Sequence, residues 1–188
     1  MKISEVDILI VPGWKGSGPD HWQSRWETKL STARRLEQDD WMEPHLEAWA
    51  DKLVSEVEKA TKPVVLVAHS LGVATVVHAA PRLQHWVKGA FLVACPDVDD
   101  SRFIDDNGAP ESMKSFHPLP SSPLPFHARL VASRDDKYCT FERSEQLAKL
   151  WNATLQDAGE AGHINEESGK GPWPEGLLSF AHFMKALG

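Results

Sequence analysis

One serine, one histidine and a small set of aspartates carry the chemistry this sequence can do. Ser70 ends the apolar run Val64-Val65-Leu66-Val67-Ala68-His69, with Ala68 two positions before it and Gly72 two after. That layout describes a strand, a tight turn and a helix start, with the serine at the apex and its hydroxyl lifted clear of the sheet. The flanking residues must be small because the turn brings backbone against backbone. The first is usually glycine, and Ala68 is the next smallest side chain.

A serine hydroxyl is a poor nucleophile until a base takes its proton. The base is normally a histidine held in one tautomer by a carboxylate. Around such a turn the partners follow in the order serine, acid, histidine. The chain supplies Ser70, then Asp135-Asp136, then His163 in Ala161-Gly162-His163-Ile164-Asn165.

The nine histidines include rivals for the base. His69 adjoins Ser70, but the turn directs its side chain elsewhere. His78, His85 and His182 fall on or near helices, where a lone histidine is structural or solvated. His21 precedes the serine, so it is read as lining the site. For the acid, Asp135 and Asp136 point opposite ways, and Asp97 also follows an apolar run. Asp97, Asp99 and Asp100 together read more plainly as a solvated acidic loop.

Attack by Ser70 would place negative charge on an oxygen, which two backbone N–H groups normally receive. Leu71, directly after the serine, should supply one. Trp14, in the glycine-rich loop Gly13-Trp14-Lys15-Gly16-Ser17-Gly18 after the first strand, is the natural second donor. This chemistry needs no metal and no organic cofactor.

The elements that must position these groups alternate along the chain. Apolar runs at 6–11, 64–67, 89–95 and 126–132 read as strands, with a weaker strand candidate at 33–37 and a short strand at 153–156. Helical spacing covers 21–27, capped by Asp20 or Ser17, then 44–60 with Pro44 in its first turn, 71–83, 141–151 and 173–187. Residues 97–125 are rich in Pro, Ser and Asp and read as a loop with one short helix. The alternation implies one α/β domain over 1–188, a mostly parallel central sheet with helices on both faces. Reactive groups in such sheets sit at the carboxyl ends of the strands. Trp14, Ser70, Asp97, Asp135, Asp136 and His163 all lie just after an expected strand.

Composition narrows the partners. A net charge of −7 with Arg34-Arg35 as the single basic pair argues against a nucleic-acid surface. Two cysteines without C-x-x-C spacing argue against a disulfide framework or a zinc cluster. The acidic residues near Met1 do not suit a signal peptide, and no apolar run is long enough to span a bilayer. The expectation is a cytoplasmic protein acting on a small-molecule ester or amide. A protein-interaction module on the same fold is the competing reading, and the intact set of reactive residues argues against it.

The Val11-Pro12-Gly13-Trp14 loop, Ser17-Gly18 and His21-Trp22-Gln23 resemble the small α/β-hydrolases of the YdeN type, a group similar to the human retinoblastoma-binding serine hydrolase. The resemblance extends to Trp41-x-x-Pro44 with Trp49, His69-Ser70-Leu71-Gly72, Ser133-x-Asp135-Asp136 and Gly162-His163, essentially the whole chain. It implies a compact α/β-hydrolase without a large cap domain, activity on small esters, and a triad on Ser70, Asp136 and His163. It thereby selects the second aspartate of the pair. Trp14, His21, Trp22 and the loop at 97–125 should shape the pocket. The departures are Ala68 for glycine, and Lys137-Tyr138 where proline is common; neither removes a reacting atom.

Overall fold

The computed structural model describes residues 1–100 and 108–188. Its strands are β1 (Asp7–Val11), β2 (Ala33–Arg35), β3 (Val64–His69), β4 (Val87–Val93), β5 (His127–Ala132) and β6 (Thr154–Asp157). Its α-helices are α1 (Trp22–Lys29), α2 (Leu46–Glu58), α3 (Leu71–Leu83), α4 (Phe141–Leu150) and α5 (Pro174–Ala186). The strands form one six-stranded sheet in the order β2-β1-β3-β4-β5-β6, with every pairing parallel. A sheet covered on both faces needs apolar side chains on both, and all of β3 is buried.

The strand period of two divides the core in half. Leu9, Val11, Leu66, Ala68, Leu92 and Leu130 face α2, α3 and α4 through Leu53, Val57, Val76 and Leu147. Ile8, Ile10, Val65, Val67, Phe91 and Val131 face α1 and α5 through Trp22, Trp26, Phe180 and Phe183. The first half is largely aliphatic and the second strongly aromatic.

From β1 the chain moves outward to β2 and then returns to place β3 on β1's other side. The loops after β1 and β3 therefore diverge, leaving a crevice at their carboxyl ends. Two glycines let these loops touch. A side-chain carbon on Gly13 would lie 2.8 Å from Ser70 Cβ. One on Gly72 would overlap the Val11 carbonyl oxygen and lie 2.6 Å from that of Pro12.

Three local expectations are corrected. The cap of α1 is His21, whose ring accepts from Gln23 N–H; Ser17 instead donates to Gln23 Oε1, and Asp20 pairs with Arg25. Pro44 precedes α2, whose cap is His45 and whose Leu46 N–H is satisfied by Ser115 Oγ. Asp97 and Asp99 are not simply solvated: Arg143 of α4 bonds both, at 3.2 and 2.6 Å. The short helix expected within 97–125 is a 3-10 helix at Glu111–Phe116, and the stretch 101–107 of that loop lies outside the described residues.

Candidate active site

Ser70 joins β3 to α3 with φ 54° and ψ −128°, a strained region for a residue bearing a side chain. Neighbouring contacts hold it there. Its N–H donates to Val93 O at 3.0 Å, and its carbonyl accepts Val73 N–H at 2.8 Å, starting α3. Leu71 is the first residue of α3, so its N–H has no carbonyl partner within the helix. Gly13 and Trp14 border the same cleft from the β1 side.

Three side chains meet in a line. Nε2 of His163 lies 2.9 Å from Ser70 Oγ, and Nδ1 lies 2.9 Å from Asp136 Oδ2. A carboxylate accepts and does not donate, so Nδ1 carries the ring proton of the neutral imidazole. Nε2 is then bare and accepts from the Ser70 hydroxyl. The His163 and Asp136 side chains are 8% and 3% exposed. Asp136 also accepts Tyr138 N–H at 2.9 Å, which fixes the carboxylate against the turn after β5.

The neighbouring aspartate does different work. Asp135 Oδ1 accepts from Ser133 Oγ at 2.7 Å and from Gly162 N–H at 2.8 Å, holding the loop that carries His163. Those hydrogen bonds keep the Asp135 carboxyl below the usual carboxylate range. Asp97, the other rival, is committed to Arg143.

His69 points away from the Ser70 hydroxyl. Its Nε2 lies 2.9 Å from the His163 carbonyl, which accepts, so His69 donates. Burial, with His21 and His163 nearby, holds its pKa well below the ordinary histidine value. The rings of His21 and His69 are 4.8 Å apart, and those of His69 and His163 are 5.0 Å apart. His78 bonds the Phe116 carbonyl, away from the site.

The cleft has a volume of about 210 Å³ and is bordered by Trp14, Leu71, Ala109, His21, Tyr138 and the 165–167 loop, among others. His21 lines it as expected. Trp22 does not: it is wholly buried, packs against Trp26 and Trp173, and donates Nε1–H to Ile164 O at 2.8 Å. Adjacent residues at the start of a helix point to different sides, and Trp22 faces the sheet. In the sequence Tyr138 stands only as part of a departure, with no expected place in the pocket, yet its ring stands edge-on to His163 at 4.4 Å. It belongs to the Lys137-Tyr138 departure and forms part of the cleft wall. The cysteines make poor alternative nucleophiles, because burial raises the Cys95 thiol pKa well above its usual value and pushes that of Cys139 up to about 12.

A carboxylate, an imidazole and a hydroxyl in this order can move a proton off the serine as it attacks. Among the described residues no group of His, Cys, Asp and Glu is arranged to hold a metal ion, and no helix is long and apolar enough to cross a membrane.

Known proteins share both the sequence and the architecture. Hydrolase YdeN of Bacillus subtilis (strain 168) is 26% identical over 173 residues, 86% of this chain and 87% of that protein. The crystal structure of a YdeN-like hydrolase from Pectobacterium atrosepticum is 32% identical, covers 98% of this chain and 94% of its own, and superposes with a TM-score of 0.85. Mouse α/β-hydrolase domain-containing protein 10 shares the fold at a TM-score of 0.74 with 16% identity, over 97% of this chain and 90% of its own. The sheet and its helices are thus a small α/β-hydrolase fold. A sequence model described as serine hydrolase matches residues 8–182, and on that match the chain belongs to the serine hydrolase family.

Proposed function

We propose that the protein is a carboxylesterase that cleaves small esters through an acyl-Ser70 intermediate. The observation that carries this reading is the unbroken line of hydrogen bonds from Asp136 through His163 to Ser70. His163 Nε2 takes the hydroxyl proton as Ser70 Oγ attacks the ester carbonyl. Asp136 stabilises the imidazolium that results. The carbonyl oxygen becomes an oxyanion and is received by the N–H groups of Leu71 and Trp14. His163 then gives its proton to the departing alcohol. A water activated by the same imidazole attacks the acyl carbon and restores Ser70.

Two unpaired thiols, Cys95 and Cys139, support a cytoplasmic setting. Of the tryptophans only Trp86 is strongly exposed among the described residues, which gives little support to an interaction surface built on them. Labelling with a fluorophosphonate probe tests the reading. Wild type should form one adduct on Ser70 and turn over short-chain esters, while Ser70→Ala should do neither. Equal labelling of the two proteins would sink the proposal.

A further inference from the structure

The cleft holds a donor and an acceptor that the reaction above does not use. His21 has a side chain only 4% exposed, and the Glu166 side chain it faces is 44% exposed. Nδ1 of His21 accepts Gln23 N–H at 3.1 Å, so in the neutral ring the proton sits on Nε2. Burial pushes the pKa of this imidazole down to about 3, and the ring is therefore neutral near pH 7. Its Nε2–H has no hydrogen-bond partner among the described residues. Glu166 Oε2 stands 3.9 Å away, too far for a direct bond. Both side chains border the cleft that contains Ser70.

A donor facing an acceptor across this gap suits a group that can do both. An ammonium ion cannot accept from Nε2–H. A carboxylate or an ether cannot donate to Glu166. A hydroxyl does both with one atom. The position within the site says which part of the substrate carries it. Glu166 follows shortly after His163 on the same loop, and His163 returns its proton to the departing oxygen. The alcohol portion of an ester therefore lies against Glu166 and His21. The apolar border, formed by Trp14, Leu71 and Ala109, is left for the acyl chain.

We propose that His21 and Glu166 form a hydroxyl clasp that selects esters whose alcohol carries a further hydroxyl, as in monoesters of glycerol-like polyols. The proposal rests on the assignment of Ser70 as nucleophile. A site built to bond a hydroxyl rejects an analogue that lacks it, because its own polar groups are left unpaired.

Glycerol monobutyrate and propyl butyrate share the acyl group and differ in the hydroxyls of the alcohol. Wild type should favour the glycerol ester in kcat/KM by about tenfold or more. Glu166→Ala should bring that ratio close to one. His21→Asn should do the same, since asparagine can still cap α1 but removes Nε2. Glu166→Gln keeps an acceptor oxygen and should retain part of the preference. General damage to the site would lower both rates and leave the ratio standing. A wild-type ratio near one, or a ratio unmoved in Glu166→Ala and His21→Asn, overturns the clasp.

A second measurement does not depend on turnover. Glycerol monobutyrate titrated into Ser70→Ala and into Ser70→Ala/Glu166→Ala, followed by NMR, should bind about tenfold more weakly to the double variant. Equal affinities overturn the clasp. If Ser70 takes no fluorophosphonate and neither ester is cleaved, the nucleophile assignment fails, and this titration still decides the clasp.

Discussion

The two sides of the cleft are built differently. The reacting side hangs from strand ends: Ser70 follows β3, Asp136 follows β5, and His163 lies on the loop after β6. Each is tied by hydrogen bonds, and the His163 and Asp136 side chains are almost wholly buried. The recognition border carries the side chains of Lys15, Glu166 and Glu167 around the cleft, with Glu166 nearly half exposed. Proton transfer tolerates little displacement of its atoms, and recognition of an alcohol tolerates more. Under the proposed roles, the contrast implies that chemistry and selectivity can be altered separately in this molecule.

Substitutions on the two sides should break in different ways. The largest effect belongs to the reacting side. Asp136→Asn should lower kcat on a short ester by about 10³–10⁴-fold, because the wrong histidine tautomer then faces Ser70. Stopped assays with and without fluorophosphonate would measure it, and a loss under tenfold would remove Asp136 from the reaction. Next comes the packing beneath that side. Trp22→Ala should cost about 3–5 kcal/mol of stability in urea denaturation, as expected for a buried tryptophan. It should also impair turnover, since Trp22 holds the Ile164 carbonyl next to His163. Unchanged stability would mean that the aromatic half of the core is not what supports this loop.

A smaller effect should appear with pH. His21 and His69 are held neutral by burial, with folded pKa values below the ordinary 6.5. As pH falls from 6.5 toward about 3, the unfolded chain binds protons that the folded His21 refuses. Stability contributed by the neutral ring is present above 6.5 and is lost over that window, by at most about 1.4 kcal/mol per pH unit for each histidine. His21→Asn should show a shallower slope between pH 6.5 and 4.5 than wild type, by roughly this amount; parallel slopes would contradict the burial argument. The smallest effect is expected at the exposed border. Glu166→Ala should change stability by no more than about 0.5 kcal/mol, in keeping with a half-exposed side chain bound to no structural partner. A larger loss would show that the two sides are less separable than the contrast implies.

Much of this was readable from residue types. Apolar runs such as Val64–Val67, alternating with helical spacing, implied the parallel sheet, because a strand buried on both faces must be apolar throughout. Ser70, the aspartate pair and His163 stood out because each follows a strand in the required order. Side-chain direction was not readable. His21 and Trp22 are neighbours in sequence, yet one borders the cleft and the other is core, since helix phase decides between them. The cap at His21 was missed because a ring nitrogen served where Asp20 or Ser17 has the usual chemistry. Asp97 and Asp99 looked solvated because Arg143, their partner, lies far along the chain. Tyr138 gave one usable signal, its place two residues after Asp136, which the structure sets beside His163.

The hydrogen bond from His69 to the His163 carbonyl has a consequence over a reaction cycle. On the proposed route the bond between Ser70 and the imidazole ceases to exist once the serine oxygen is esterified. The nucleophile turn and the histidine loop then lose their direct link halfway through turnover. The His69 strap joins the same two segments through atoms that never react, and His69 stays neutral throughout. Registry between nucleophile and base is thus independent of which intermediate occupies the enzyme, and the second half-reaction starts from the geometry of the first.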